Sequence, residues 1–271
     1  MCGQVTTTFF TSANPGYEPF VLPYAASALI NDAEAVVEIC LARPKAFEIA
    51  NADAIALLEE WFGPRFRVRR GKFGGVVPNS VRFLETPSVL TEFTYIGDID
   101  ILILEPVTVR HLEQMRKTGL PYSNVLRPSA PPRLSGLHFT RTGARYPLPE
   151  LGGVDPSNTG DEHLLYLQVE AMGLRLPDPE ERFRPAHGIH FSLNRSVKRP
   201  GATDWGISLG LAKTYAAFRD DLRWRALLPL LDRRYLYLLL LLETAIEAHF
   251  PEVDLFTGRP VEYSLRSLVA S

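Results

Sequence analysis

Glu92-Phe-Thr-Tyr-Ile-Gly-Asp-Ile-Asp-Ile-Leu-Ile-Leu104 is the most strand-like stretch of the chain, dense in β-branched and aromatic residues, with two aspartates set into it. Upstream, residues 5–11 have the same character and end in the turn cluster Ser12-Ala-Asn-Pro-Gly16. An apolar stripe predicts a helix over 20–30, and 35–41 reads as a short buried strand. Over 52–62 the apolar positions follow a helical period with Glu59-Glu60 outward, and 66–69 alternates as a further strand. The order strand, helix, strand, helix, strand predicts an α/β fold with a mixed, mainly parallel sheet flanked by helices.

Beyond the central stretch, the sequence predicts a helical patch at 81–90 interrupted by Pro87, a helix over 107–117 and an irregular proline-rich loop over 121–133. A strand over 134–140, a Pro/Gly-rich loop over 147–158, a helix over 161–172, an extended segment at 186–193 and a basic loop at 196–205 follow. From 209 the composition turns helical, over 209–224 and 227–250. A boundary near 206–210 therefore divides a core, residues 1–208, from a C-terminal helical extension, 209–271, packed on it.

With 271 residues, 46% of them hydrophobic, there is ample sequence for a buried core. A net charge of −2, from 29 basic and 31 acidic residues, argues against nucleic acid as a partner and against gripping anionic lipid by bulk charge. Two cysteines exclude a disulfide framework and a Cys-rich zinc module. The start Met-Cys-Gly-Gln-Val lacks the basic and long apolar regions of a secretory signal. The longest apolar run, 235–242, is too short to cross a bilayer, so a cytoplasmic location is expected. In the extension, Arg219, Arg223, Arg225, Arg233 and Arg234 accompany Trp224, Tyr235 and Tyr237. That mixture allows peripheral contact with the inner face of a membrane. The leucine density favours the other reading, helices buried on the core or against a second copy in a homo-oligomer, and Asp220, Asp221 and Asp232 weaken a purely basic face.

Asp98 and Asp100 are one residue apart among apolar neighbours, and in extended chain both would leave the same face. Such a pair is either a hydrated strand end or a site that needs a compensating cation, for which a hard divalent metal is the simplest answer. Of His187 and His190, three apart, at most one would join the carboxylates. The cations that follow, Arg195, Lys198 and Arg199, then Trp205, suit either a solvated loop or a diphosphate.

In order along the chain, several short motifs now line up. They are Asn14-Pro-Gly-Tyr17 ahead of a helix, Val81-Arg82-Phe83-Leu84, Tyr95-Ile96-Gly97-Asp98-Ile99-Asp100, Leu134-Ser135-Gly136-Leu137, Asp161-Glu162 opening a helix, and His190-Phe191 with Lys198 and Trp205 downstream. Over about residues 5–205 the chain resembles the GT-A-type glycosyltransferases, most closely the retaining enzymes of glycosyltransferase family eight. The resemblance implies a GT-A, Rossmann-like fold and a metal-dependent transfer of a hexose from a UDP-sugar to a carbohydrate or glycolipid acceptor in bacterial surface polysaccharide synthesis. It places Asp98, Asp100 and His190 on the metal, Mn²⁺ in preference to Mg²⁺ given the imidazole. It places Thr8, Asn14, Tyr17, Arg82, Ser135, Gly136 and Lys198 on the nucleotide sugar, and Asp161 and Glu162 at the reacting sugar. The family commonly carries Gln where this chain has Glu162, so a carboxylate here would stabilise an oxocarbenium-like transition state, act as a nucleophile, or stand off as a surface residue. Two other readings are a non-catalytic nucleotide- or glycan-binding protein on the same scaffold, and a glycoside hydrolase using two carboxylates.

Overall fold

In the computed structural model, residues 7–181, 183–191, 207–253, 255 and 265–270 are described. The fold is α/β, with a six-stranded, mainly parallel central sheet flanked by helices. Strand β1 (Thr7–Ala13) is buried along its whole length and lies between β2 (Ala35–Leu41) and β4 (Phe93–Ile96), parallel to both; β3 (Phe66–Arg70) extends the parallel set beyond β2. On the other side β9 (His138–Arg141) pairs antiparallel to β4, and β6 (Tyr122–Ser123) antiparallel to β9, giving the order β3-β2-β1-β4-β9-β6. Four short strands stand apart from this sheet. β7 (Leu126–Arg127) and β8 (Arg133–Leu134) form a hairpin, and β5 (Ile101–Ile103) pairs antiparallel with β10 (Gly188–His190).

The adjacent phenylalanines of β1 show how the layers form. Side chains alternate along a strand, so Phe9 joins one apolar cluster and Phe10 the other. The Phe9 cluster includes α1 (Val21–Asn31), through Tyr24, Ala25 and Leu29, and α3 (Ala52–Phe62), through Leu58 and Phe62. The Phe10 cluster holds Val81 and Phe83 of α4 (Val81–Leu84), with Leu164, Leu165 and Val169 of α7 (Asp161–Ala171). Elements not expected include α2 (Pro44–Ala50), β6 and the β7–β8 hairpin inside the proline-rich stretch, and α6 (Thr142–Arg145) after β9.

Two corrections concern continuity. The 92–104 stretch is not one strand: it breaks at Gly97–Asp100, where Thr11 Oγ1 donates to the Gly97 carbonyl at 2.7 Å. β4 stays in the central sheet, whereas β5 leaves it to pair with β10. The C-terminal stretches are likewise divided, into α8 (Leu209–Arg219), α9 (Leu222–Leu227) and α10 (Arg233–His249), with α11 (Leu265–Ala270) beyond. Asp221 and Asp232 make the breaks, since each carboxylate accepts the backbone N–H two residues on (2.8 Å in both cases) and so caps a new helix.

These helices share the Phe9 cluster through Tyr215, Trp224, Tyr235, Leu239 and Ile246. Their arginines are largely taken up internally: Arg223 pairs with Asp221 at 2.7 Å and lies over Phe62, Arg234 pairs with Asp232 at 3.1 Å, and Arg219 is buried against Glu243. No helix among the described residues is long and apolar enough to cross a membrane.

His111, on α5 (Val107–Thr118), supplies a stability prediction. It is fully buried, with Nδ1 3.0 Å from Ser123 Oγ, Nε2 3.3 Å from the Ala186 carbonyl, and its ring between Tyr95, Phe139 and Phe183. Burial, with His187 adding repulsion, lowers its pKa to about 4 despite the Ala186 contact, and burial likewise depresses His138. At pH 7 the His111 imidazole is neutral in both states. Below the ordinary 6.5 the unfolded chain takes a proton that the folded chain refuses until about pH 4, so stability falls as pH falls. The expected loss is about 2 kcal/mol between pH 6.5 and 5, at ~1.4 kcal/mol per unit. Urea unfolding at the two pH values reads it, and His111→Phe should remove this share of the dependence, leaving that of His138.

Candidate functional site

Ligands of open α/β sheets gather at the carboxyl ends of strands, where the strand order reverses. Here the reversal lies between β1, which continues into β2 and β3 on one side, and β4 on the other. The chain leaving β1 carries Asn14 and Tyr17, and the chain leaving β4 carries Asp98 and Asp100. Both aspartates sit on the turn between β4 and β5 rather than on one face of a strand, with Asp100 6% exposed.

His190 is brought to this turn by strand pairing. In the β5–β10 register His190 lies opposite Ile101, and the Phe191 N–H donates to the Asp100 carbonyl at 2.6 Å. Its Nε2 is 2.9 Å from Asp100 Oδ1 and 3.9 Å from Asp98 Oδ2, across 90 positions of sequence in the first case. The register depends on Gly188, whose φ of +136° suits glycine and whose missing side chain lets the Leu102 carbonyl approach. Phe191 is then fixed by Phe20 and by Tyr235 of α10, with ring centroids 6.4 and 5.4 Å away. The helical extension therefore anchors the histidine strand. His187, three residues earlier, turns away and bonds through Nδ1 to the Pro185 carbonyl at 2.7 Å.

Arg82 holds the other side. It is almost fully buried, lies over the Phe83 ring, and its Nη2 bridges Asp98 Oδ1 (2.7 Å) and Asp161 Oδ2 (2.8 Å). Asp161 opens α7, where the helix dipole favours a carboxylate. Burial opposes ionisation of Asp98, but Arg82 and His190 outweigh it and hold the carboxyl below its usual range. For Asp100, burial is only partly offset by the His190 contact, and its carboxyl is pushed up. Tyr17 is raised by burial, then by Asp100 and Asp98; its ring lies 5.8 Å from that of Phe20, which packs on Phe191 next to His190.

Ser135 and Gly136 close the cluster. Asn124 clamps the segment, its Oδ1 accepting from the Ser135 N–H (2.9 Å) and its Nδ2 donating to the Ser135 carbonyl (3.0 Å). A Cβ at Gly136 would stand 3.0 Å from Arg82 Nη2 and 3.7 Å from both Asp98 carboxylate oxygens, so only glycine leaves the space over that ion pair open. The Gly136 N–H donates to Glu162 Oε1 at 3.1 Å, and the same carboxylate is held by Arg127 and Arg133.

Of the expected site residues, Asp98, Asp100, His190, Arg82, Asp161, Glu162, Gly136, Ser135 and Tyr17 thus lie in one neighbourhood. Asn14 stands at the exit of β1, its Oδ1 accepting from the Gly16 N–H at 2.9 Å to form the turn that presents Tyr17. Thr8 does not belong: it is buried in the first half of β1, donating to the Val89 carbonyl at 2.9 Å and meeting Thr91 Oγ1 at 3.0 Å. Lys198, with Arg195, Arg199 and Trp205, lies outside the described residues. Sequence reasoning missed Tyr24 and Tyr95, both fully buried with hydroxyls that meet no described partner, and the Arg127–Arg133 pair. Nothing in the local pattern separates those tyrosines from ordinary core residues.

Among the described residues no three His, Cys, Asp or Glu side chains form a ready-made coordination cage. The geometry explains this: His190 and Asp100 are in direct contact, and one oxygen of Asp98 faces Arg82. A cleft of about 500 Å³ between Glu18–Leu22, the 43–51 stretch and the 230–234 stretch lies beyond Tyr17 and includes none of the clustered acids. The charged groups converge apart from this cleft, at the end of β1 and β4. No protein-family model matches the chain, and no curated protein matches it.

Proposed function

We propose that the chain is a metal-dependent, retaining glycosyltransferase that moves a hexose from a UDP-sugar to a carbohydrate acceptor. The observation that carries this reading is the meeting of Asp98, Asp100 and His190 at the point where the strand order reverses, beside an arginine shared with Asp161. Two carboxylates and an imidazole are a donor set suited to Mn²⁺, and Asp98, Asp100 and His190 are the residues that would hold it. When bound, it supplies Lewis-acid stabilisation to the departing diphosphate.

The chain's own residues supply the rest. Tyr17 offers a half-buried ring on the chain leaving β1, packed against Phe20, for the base to stack on. Arg82, shared by Asp98 and Asp161, fixes the Asp161 carboxylate at the start of α7, where it would accept hydrogen bonds from sugar hydroxyls. Glu162 is the next residue, but its carboxylate is engaged by Gly136 and two arginines, which favours a positioning role over attack on the sugar.

A panel of nucleotide sugars assayed for UDP release with and without Mn²⁺ tests the proposal. Release from a UDP-hexose that needs the metal is the expected result. UDP binding with Mn²⁺ but no consumption of any donor would leave a binding protein, and metal-independent hydrolysis of glycosides would point to the two-carboxylate hydrolase.

A further inference from the structure

Arg127 and Arg133 are partners across the β7–β8 hairpin, so their side chains leave the same face. Directly opposed like charges repel and need an anion between them. Glu162 provides one: Arg127 Nη1 lies 2.8 and 3.1 Å from its two oxygens, and Arg133 Nη1 lies 3.1 Å from Oε2. One carboxylate thus serves two guanidinium groups, leaving a unit of positive charge uncompensated within this cluster among the described residues. Both arginine side chains are about half exposed, at 47%, whereas Glu162 is 19% exposed, so the unused donors face solvent.

The location gives the charge a meaning. Glu162 Oε1 also receives the Gly136 N–H, and Gly136 abuts Arg82 and Asp98. The exposed cations therefore stand one carboxylate away from the proposed donor site, on its solvent side. We infer that Arg127 and Arg133 form a clamp for an anionic group on the acceptor, so that the preferred acceptor is an acidic saccharide carrying a carboxylate or a phosphate. The planar guanidinium fork matches either group. Glu162 occupies the clamp when it is empty, and the acceptor's anion competes with it for the arginines. This assignment rests on the glycosyltransferase reading for the word acceptor, but the anion site itself does not.

The test is a binding titration on the whole chain with no donor and no metal, followed by NMR chemical shifts at low salt. Glucuronate, glucose 6-phosphate and glucose are the probes, the first two separating carboxylate from phosphate. Either acidic sugar is expected to bind at least about tenfold more tightly than glucose, a difference that shrinks as salt is added. Arg127→Gln and Arg133→Gln should each remove that preference. Glu162→Gln should strengthen acidic-sugar binding several-fold, since it removes the competing charge while keeping the packing. Equal binding of glucose and both acidic sugars by the native chain would overturn the inference. So would weaker acidic-sugar binding in Glu162→Gln in step with the arginine variants, which would make the three residues a structural staple. A failure of the donor panel leaves these outcomes readable, because no turnover enters them.

Discussion

Replacing Asp100 with alanine is expected to lower the affinity for UDP in the presence of Mn²⁺ by on the order of 100-fold, about 2.8 kcal/mol, while leaving the fold intact. The two halves of that expectation come from the same observation. Asp100 is buried, and burial pushes its carboxyl up, so its ionised form is held at a cost that the His190 contact only partly offsets. Removing the carboxylate removes that cost together with the hydrogen bond, and the imidazole left behind, 29% exposed, can turn to water. The net change in stability should therefore stay within about 1 kcal/mol. Calorimetry with and without Mn²⁺ is the measurement. Unchanged metal-dependent affinity in Asp100→Ala would remove the acids from the donor site and the proposed activity with them.

Much of the fold was legible because hydrophobic period is a local property. The strand at 35–41 and the helix at 52–62 stand where the pattern puts them, since each is a regular element bounded by turn residues. The site was legible in composition but not in geometry. Asp98 and Asp100 were expected to share the face of an extended strand; they sit instead on a turn, because the Gly97 carbonyl is taken by Thr11, a residue 86 positions away. The break between β4 and β5 is a tertiary event and leaves no periodic trace. Arg127 and Arg133 were hidden for a related reason: a two-residue strand in a proline-rich loop has no period to read, and the pair becomes visible only in the hairpin register.

The helical extension shows the same division between pattern and placement. Its leucine density favoured burial, and Trp224 and Tyr235 are indeed inside the core. What the pattern could not show is that Tyr235, through Phe191, braces the residue next to His190. Phe20 completes that triangle, its ring 5.7 Å from Tyr235, just after the Tyr17 turn. The site at the end of β1, the histidine strand and the last long helix are thus mechanically one unit, so that damage to the extension would reach the acids without touching them.

The most severe consequence of this arrangement is expected at a residue with no side chain. In Gly188→Ala, the new methyl would overlap the Leu102 carbonyl oxygen and stand 2.6 Å from the Leu104 nitrogen, at a φ of +136° that L-residues rarely adopt. Backbone strain of this kind costs on the order of 1–3 kcal/mol. The β5–β10 pairing has only three residues in register with which to resist it. The strand should therefore separate from β5 and carry His190 away from Asp100. The expected result is a loss of metal-dependent UDP binding as large as in Asp100→Ala, with a melting temperature lower by about 4–10 °C. His190→Ala provides the contrast, because it removes the imidazole but keeps the glycine and the pairing, so it should lose UDP affinity while melting near the native temperature. If Gly188→Ala binds UDP and melts like the native chain, then the pairing does not place the imidazole. The convergence of carboxylates and histidine would then lack the structural cause assigned to it.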